Sequence, residues 1–179
     1  MTGAGNAPPM MVPAKAVYMV RDLRRLTKFH KIPFAMRPDF PQFAMEFGSI
    51  RSQRFLLAAQ ELLKSEQSEA GREQEEALIR RFFQAFFSPT EPSADISNLE
   101  AIQSLALSTG ADAGLVAQAA KDCSGDPVKA KLRANTDAAS ALGGFGLPIT
   151  AVHLPEKVGG PQAIWGCDRM HIVGHLLGE

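Results

Sequence analysis

Apolar residues recur every three or four positions through most of the first 142 residues, which is the pattern of amphipathic helices. The pattern predicts about six helices before any strand. They cover residues 13–32, 49–64, 77–88, 97–109, a short segment from 112, and 126–142.

Capping residues mark several of the predicted helix starts. The segment SNLE, Ser97 to Glu100, fits a capping box, in which a serine oxygen and a glutamate carboxylate each satisfy a free backbone N–H. Asp112 can cap the next helix, and Asp126 with Pro127 supplies a cap followed by a first-turn proline.

Two segments between helices are predicted to lack regular structure. Residues 32–49, IPFAMRPDFPQFAMEFGS, contain several prolines and are predicted to form an extended loop that anchors aromatic side chains in a core. Residues 64–76, KSEQSEAGREQEE, are predicted to form a polar connector. The helix that follows carries an apolar stripe from Leu78 to Phe87, which we interpret as core rather than as a ligand pocket.

The period changes from helical to extended only after the predicted helix stop at Gly143. We predict a strand at residues 148–154 and its partner strand at 162–166, joined by a turn at 155–161. A closing helix is predicted at 167–179. Four apolar residues of this helix are predicted to face inward: Met170, Val173, Leu176 and Leu177. Because a hairpin alone is only marginally stable, the preceding helices indicate an insertion within a larger sheet. The predicted fold class is α+β, mostly α.

Composition narrows the classes of function. The chain has 179 residues, and its 19 Lys and Arg balance 19 Asp and Glu, so no net field favours nucleic acid or an anionic membrane. We expect no membrane span, and no targeting signal is visible. The cysteines Cys123 and Cys167 make no zinc-ligand spacing, and a reducing, cytoplasmic compartment is the default.

Two motifs have simple structural interpretations. His171 and His175 are four residues apart on the closing helix, a spacing that can bind a metal. No third ligand is evident, so no metal site is predicted. Ser88–Pro89 has no neighbouring base and is interpreted as a helix end.

Residues 143–150, GGFGLPIT, concentrate three glycines and a proline where the first strand begins. The segment is either a helix stop before a strand, or a loop that presents its backbone to a ligand. If the Leu147–Pro148 bond is cis, the loop can turn its N–H and C=O groups toward a peptide-like ligand. Cys167 and Asp168 begin the closing helix, where free N–H groups favour a carboxylate. Asp168 is either the helix cap or a partner for a ligand ammonium group.

Five segments together resemble the kappa-class glutathione transferases, a group with a DsbA-like thioredoxin fold that includes 2-hydroxychromene-2-carboxylate isomerases. They are GNAPP (5–9), MVPAK (11–15), VKAKLRANTDAASALGGFGLPIT (128–150), GCDRM (166–170) and LLGE (176–179). The resemblance covers essentially the whole chain and is weakest through 35–120.

The resemblance implies a thioredoxin-like domain interrupted by a helical insertion. Residues 1–12 would be a lead-in loop, 13–125 the helical insertion domain, and 126–179 the C-terminal α–β–β–α half of the thioredoxin-like domain. In the family, a β–α–β part with a Ser-Pro loop precedes the GN dipeptide. We therefore expect this chain to lack that part, together with the serine that stabilises the glutathione thiolate.

For the site, the resemblance implies glutathione contacts by Asn6, Leu147, Cys167 and Asp168, with Pro148 as a structural cis-proline. Leu147 would supply backbone hydrogen bonds to the cysteinyl part of glutathione, while Cys167 and Asp168 would hold the γ-glutamyl end. Cys167 stands where a serine is expected, so a thiol replaces a hydroxyl. No catalytic residue is expected within this chain.

The function implied by the resemblance is conjugation of glutathione, as co-substrate and without a separate cofactor, to electrophilic small molecules. We expect this chain to be inactive or impaired. A non-catalytic DsbA-like binding or interaction protein and a glutathione-dependent isomerase remain open alternatives. The resemblance also implies a homodimer and a mitochondrial or peroxisomal location, with no nucleic-acid partner.

Overall fold

The computed structural model describes residues 5–64, 68–91 and 93–179. Its elements are α1 (Pro13–Phe29), α2 (Phe40–Glu46), α3 (Ile50–Lys64), α4 (Glu69–Phe87), α5 (Leu99–Leu107), α6 (Ala113–Asp122), α7 (Asp126–Ala141), β1 (Ile149–Val152), β2 (Gln162–Trp165) and α8 (Met170–Leu177). Short 3-10 helices span Pro9–Met11, Glu156–Val158 and Cys167–Arg169. Residues 1–4 of the predicted lead-in loop and 65–67 of the predicted connector lie outside the described residues.

The chain divides into two compact units. One comprises Met1–Arg25 with Arg133–Glu179, and the other comprises Leu26–Leu132. The divisions fall within α1 and within α7. The domain limits expected from the sequence, after residues 12 and 125, stay a prediction.

The 26–132 unit has a core built by α3, α4, α5 and α6. Its largest side chains with almost no exposed surface are Phe55, Leu78, Ile102, Val116 and Cys123. Phe55 of α3 stacks on Phe82 of α4, with ring centroids 6.0 Å apart. On α4, Leu78 and Phe82 are buried, whereas Ile79 and Phe83 remain exposed. The core therefore covers only part of the apolar stripe of this helix.

Helix α2 corrects the prediction of an extended loop over 32–49. Pro41 lies in its first turn, where a missing N–H leaves no hydrogen bond unmade. Phe43 is buried, and its ring lies 5.1 Å from that of Phe86 on α4. A first-turn proline is compatible with a helix, and burial of Phe43 gives this short helix a reason to form.

Helix α4 begins about two turns earlier than predicted. The hydroxyl of Ser68 accepts a hydrogen bond from the N–H of Gly71 at 3.0 Å and so caps the helix. Most of the predicted polar connector, residues 69–76, therefore belongs to a helix, and polarity alone does not distinguish a polar helix turn from a loop.

Helix α5 is capped one residue later than the predicted capping box. Asn98 accepts a hydrogen bond from the N–H of Ala101 at 3.0 Å. The predicted cap, Ser97, instead directs its own N–H and hydroxyl to the carboxylate of Asp95. The predicted cap of α6 is confirmed, since Asp112 accepts a hydrogen bond from the first turn of that helix.

The predicted hairpin is present in the other unit. β1 and β2 pair antiparallel, with Ile149 opposite Trp165 and Val152 opposite Gln162. Both strands are shorter than predicted. Within the described residues, β1 has β2 as its sole strand partner.

The closing helix is confirmed in part. A 3-10 turn, Cys167–Arg169, precedes α8. Val173 is buried as expected, whereas Met170 and Leu177 are more than half exposed. None of the helices in the described ranges has both the length and the apolar character needed to cross a membrane.

Candidate functional site

The loop between α7 and β1 is held close to its neighbours at two glycines. The N–H of Gly144 donates to the carbonyl of Ala139 at 3.0 Å, and a Cβ on Gly144 would lie only 2.5 Å from that oxygen. A Cβ on Gly146 would lie 2.9 Å from Nε1 of Trp165. The glycines therefore allow a close approach of the loop to α7 and β2 that other residues would hinder.

The end of this loop meets the start of the last 3-10 turn. The Leu147–Pro148 peptide bond is cis, which agrees with the prediction. The carbonyl of Pro148 accepts a hydrogen bond from the N–H of Gly166 at 3.1 Å. Gly166 directly precedes Cys167, so the backbone places the cis-proline beside the predicted γ-glutamyl end of the site. Leu147 is 80% exposed.

Asn6 joins the loop from the far end of the sequence. Its Nδ2 atom donates a hydrogen bond to the carbonyl of Phe145 at 2.8 Å. The ring of Phe145 in turn lies 5.0 Å from that of Trp165, centroid to centroid. Asn6, the loop and the end of β2 therefore form one connected group of contacts.

Asp168 is not the helix cap that the sequence leaves as one alternative. The residue before the 3-10 turn is Gly166, at φ +99°, and no side chain caps this turn or the start of α8. The Asp168 carboxylate instead forms an ion pair with Arg169 at 2.5 Å, and its side chain is 66% exposed. An exposed carboxylate with one flexible partner can exchange that partner for another cation.

The two cysteines occupy different environments. Cys167 is exposed at the start of the turn, and Cys123 is buried, with its Sγ 3.1 Å from the carbonyl of Ala120. Over the described ranges, no group of three or more His, Cys, Asp or Glu side chains is placed to hold a metal ion.

The structure connects the four predicted binding residues through neighbours that the sequence analysis missed. Phe145 receives the hydrogen bond of Asn6, and Gly166 ties the cis-proline to Cys167. Trp165 packs on the loop. The sequence indicates two of these neighbours, because Phe145 stands within GGFG and Trp165 stands directly before GCD. Nothing in the sequence shows that the two rings meet.

The groups whose pKa values are shifted belong to the 26–132 unit, whereas the four predicted binding residues belong to the other unit. A hydrogen bond from the Arg37 guanidinium lowers the pKa of Asp39 and raises that of Arg37. A hydrogen bond from the Ser97 hydroxyl lowers the pKa of Asp95. Arg37 also lies over the rings of Phe43 and Phe86 and donates to the carbonyl of Ala94. Because Arg37 pairs with Asp39 and Asp95 accepts from Ser97, we interpret this cluster as structural.

Comparison with known proteins gives a family for the whole chain. The model of the DSBA-like thioredoxin domain matches residues 1–178. The human protein named glutathione S-transferase kappa 1 is 34% identical over 179 residues, which is 100% of this chain and 73% of the relative. The rat protein of the same name is 32% identical over the same shares of both chains. The Caenorhabditis elegans protein of that name is 27% identical over 99% of this chain and 72% of the relative.

These matches bear out the resemblance inferred from the sequence. They also confirm the predicted fold class, an α+β and mostly α chain with a DsbA-like thioredoxin domain. The chain spans about three quarters of the length of the relatives.

Proposed function

Because the chain belongs to the DsbA-like thioredoxin family, and within it to the kappa-class glutathione transferases, we propose that it binds glutathione as a co-substrate for conjugation to electrophilic small molecules. Glutathione is a tripeptide with a γ-glutamyl ammonium and carboxylate at one end and a cysteinyl thiol in the middle. The site must therefore pair with extended backbone and with a zwitterionic end.

The observation that carries this proposal is the connected group around the cis-proline loop. Asn6 holds the carbonyl of Phe145, and Gly166 holds the carbonyl of Pro148. Leu147 lies between these two anchored carbonyls. Among the described residues, its N–H and C=O make no backbone hydrogen bond, so both are available to the cysteinyl part of glutathione.

Cys167 and Asp168 are proposed to hold the γ-glutamyl end. They open the 3-10 turn before α8, and they follow directly on the Gly166 contact to Pro148. The exposed Asp168 carboxylate would accept the ligand ammonium in exchange for Arg169. Such an exchange is worth little in water, and we expect about a two- to fivefold gain in affinity from it.

Transfer itself requires a thiolate. The sulfur of glutathione forms a bond to the electrophilic carbon while a leaving group departs or a double bond accepts the electron pair, and the thiol proton passes to water. A hydroxyl that donates to the sulfur would favour the thiolate, but none of the four proposed contact residues carries one. We therefore propose that the 179-residue chain binds glutathione and conjugates it weakly or not at all. The homodimer and the mitochondrial or peroxisomal location stay predictions.

The test is calorimetric titration of the 179-residue chain with glutathione, followed by a conjugation assay with an aryl halide. Binding that weakens about two- to fivefold in Asp168→Asn, with little turnover, supports the proposal. The matched control is Asp137→Asn, an exposed carboxylate on α7 that should leave affinity unchanged. Absence of binding at millimolar glutathione, in a chain whose circular dichroism is helical, would instead favour a non-catalytic interaction protein.

A further inference from the structure

A cavity of about 250 Å³ opens on the surface of the 26–132 unit, between α3 and α4 and beside the end of α7 that belongs to this unit. Aliphatic side chains form most of its wall: Leu56, Leu57, Leu78, Ile79 and Leu132. Leu57 and Leu78 are buried, whereas Ile79 is 39% exposed. The floor of the cavity is thus a part of the core that remains open to solvent on one side.

Polar groups are confined to three residues of the wall, Gln53, Gln60 and Glu75. Nε2 of Gln60 donates a hydrogen bond to a carboxylate oxygen of Glu75, which fixes the carboxylate at the cavity. A carboxylate has about four acceptor positions, so this single donor leaves it with further acceptor capacity.

Among the residues that the structure describes, the charge of Glu75 has no ion-pair partner. Its neighbour Glu76 pairs with Arg80, and Glu61 pairs with Lys64. Glu75 is half-buried, while Glu76 is exposed. The cavity therefore combines an aliphatic wall with one half-buried carboxylate.

The volume of the cavity, which is open to solvent on one side, indicates how large a part of a ligand it can cover. An engineered apolar cavity of about 150 Å³ binds benzene, whereas sites for drug-sized ligands run to roughly 300–1,000 Å³. We propose that this cavity binds a small apolar amine, a molecule of one or two rings or a short branched chain that carries one ammonium group. The apolar part covers the leucines, and the ammonium group donates to Glu75.

This site is independent of the proposed glutathione function. Its wall belongs entirely to the 26–132 unit, whereas Asn6, Leu147, Cys167 and Asp168 belong to the other unit. A failure to bind glutathione would not contradict the amine site, and a failure to bind the amine would not contradict the proposed glutathione site.

The experiment uses the 179-residue chain and two matched probes, naphthylmethylamine and the neutral naphthylmethanol. Titrations are followed in amide proton–nitrogen NMR spectra. We expect shifts at amides in 53–60 and 75–79, with the amine binding about two- to fivefold more tightly than the alcohol, as a partly exposed ion pair allows. An absence of shifts in these ranges at millimolar probe would overturn the proposal.

Two substitutions at neighbouring residues of α4 test whether the preference for the amine depends on the carboxylate in the cavity wall or on any negative charge on this helix. Glu75→Gln should remove the preference for the amine and leave the alcohol affinity unchanged. Glu76→Gln, one position along and outside the cavity wall, should keep the preference. Equal affinities of both probes for the unmodified chain, or a preference that persists in Glu75→Gln, would contradict the assignment. Leu56→Phe should weaken both probes by filling the cavity, with its thermal unfolding recorded to verify that it folds.

Discussion

The side-chain amide of Asn6 donates a hydrogen bond of 2.8 Å to the carbonyl of Phe145, although the two residues are 139 positions apart in the sequence. Since Phe145 stands two residues before Leu147, this bond orients the loop whose backbone is proposed to meet glutathione. The same loop is held on its other side by the Gly166 N–H.

Asn6→Asp tests this bond with almost no change in size. An ionised aspartate can only accept, so it cannot donate to the Phe145 carbonyl. We expect amides in 144–147 to exchange hydrogen faster, and the free energy of unfolding to fall by about 0.5–1.5 kcal/mol. We expect a decrease at the low end of this range of free energies, because the hydrogen bond is accessible to water. Unchanged exchange in these amides would show that the hydrogen bond does not hold the loop.

Gly146→Ala should displace the indole of Trp165. The new Cβ would lie 2.9 Å from Nε1, so the ring must rotate at a cost of about 0.5–1.5 kcal/mol. Trp165 is the only tryptophan in the chain, so its fluorescence reports the displacement directly, and emission should move to longer wavelength. Gly174→Ala is the control, because its Cβ would meet nothing closer than 3.9 Å. Identical spectra for the two variants would contradict the packing of the loop on β2.

The two cysteines should differ in their rate of labelling. Cys167 is exposed, whereas Cys123 is 1% exposed and can react only when the helical core opens. We expect Cys123 to react on the order of a hundredfold more slowly in the native chain. Single replacements of each cysteine by serine assign the two rates, and comparable rates would show that the α6 region is not packed as described.

The carboxyl groups of Asp39 and Asp95 predict how the stability of the fold responds to acid. The pKa of Asp95 lies below its ordinary value of 3.8, first because the Ser97 hydroxyl donates to its carboxylate. The pKa of Asp39 is lowered by the hydrogen bond from Arg37. A carboxyl group whose pKa is lower in the folded state stabilises the fold fully above its unfolded pKa, and this contribution is lost as the pH falls through the folded pKa.

Urea unfolding measured from pH 6 down to about pH 3 should therefore show stability falling below roughly pH 4. Asp95→Asn should make the loss of stability with falling pH smaller, because only Asp39 of these two carboxyl groups remains to be protonated. The variant should also be less stable at neutral pH. Both groups lie near the surface, so the effects should be small. If Asp95→Asn and the unmodified chain lose the same stability with falling pH, Asp95 does not contribute to the acid dependence.

Local signals in the sequence predicted most of the elements and some of their ends. The Asp112 cap and the hairpin at 148–166 were predicted because their patterns are short-range. The sequence did not reveal α2, because its reason to form is the burial of Phe43 against Phe86, a contact between distant segments. The cap of α5 was displaced because Asp95 competes for the groups of Ser97.

The candidate site was predictable to a similar degree. The four proposed contact residues follow from the family resemblance, and their types fit a tripeptide ligand. The bond from Asn6 to Phe145 and the ring contact of Phe145 with Trp165 depend on how the chain closes on itself, which no local pattern encodes. The ion pair of Asp168 with Arg169 was also missed, although the residues are adjacent, because a helix cap explained the aspartate equally well.

The most direct test of the proposed glutathione site is a titration of the 179-residue chain with reduced glutathione, followed in amide NMR spectra. The account predicts saturable shifts that are largest at the proposed contacts and the loop that joins them: Asn6, Phe145, Leu147, Cys167 and Asp168. Saturable shifts confined to other residues, or none at millimolar glutathione in a folded chain, would contradict it.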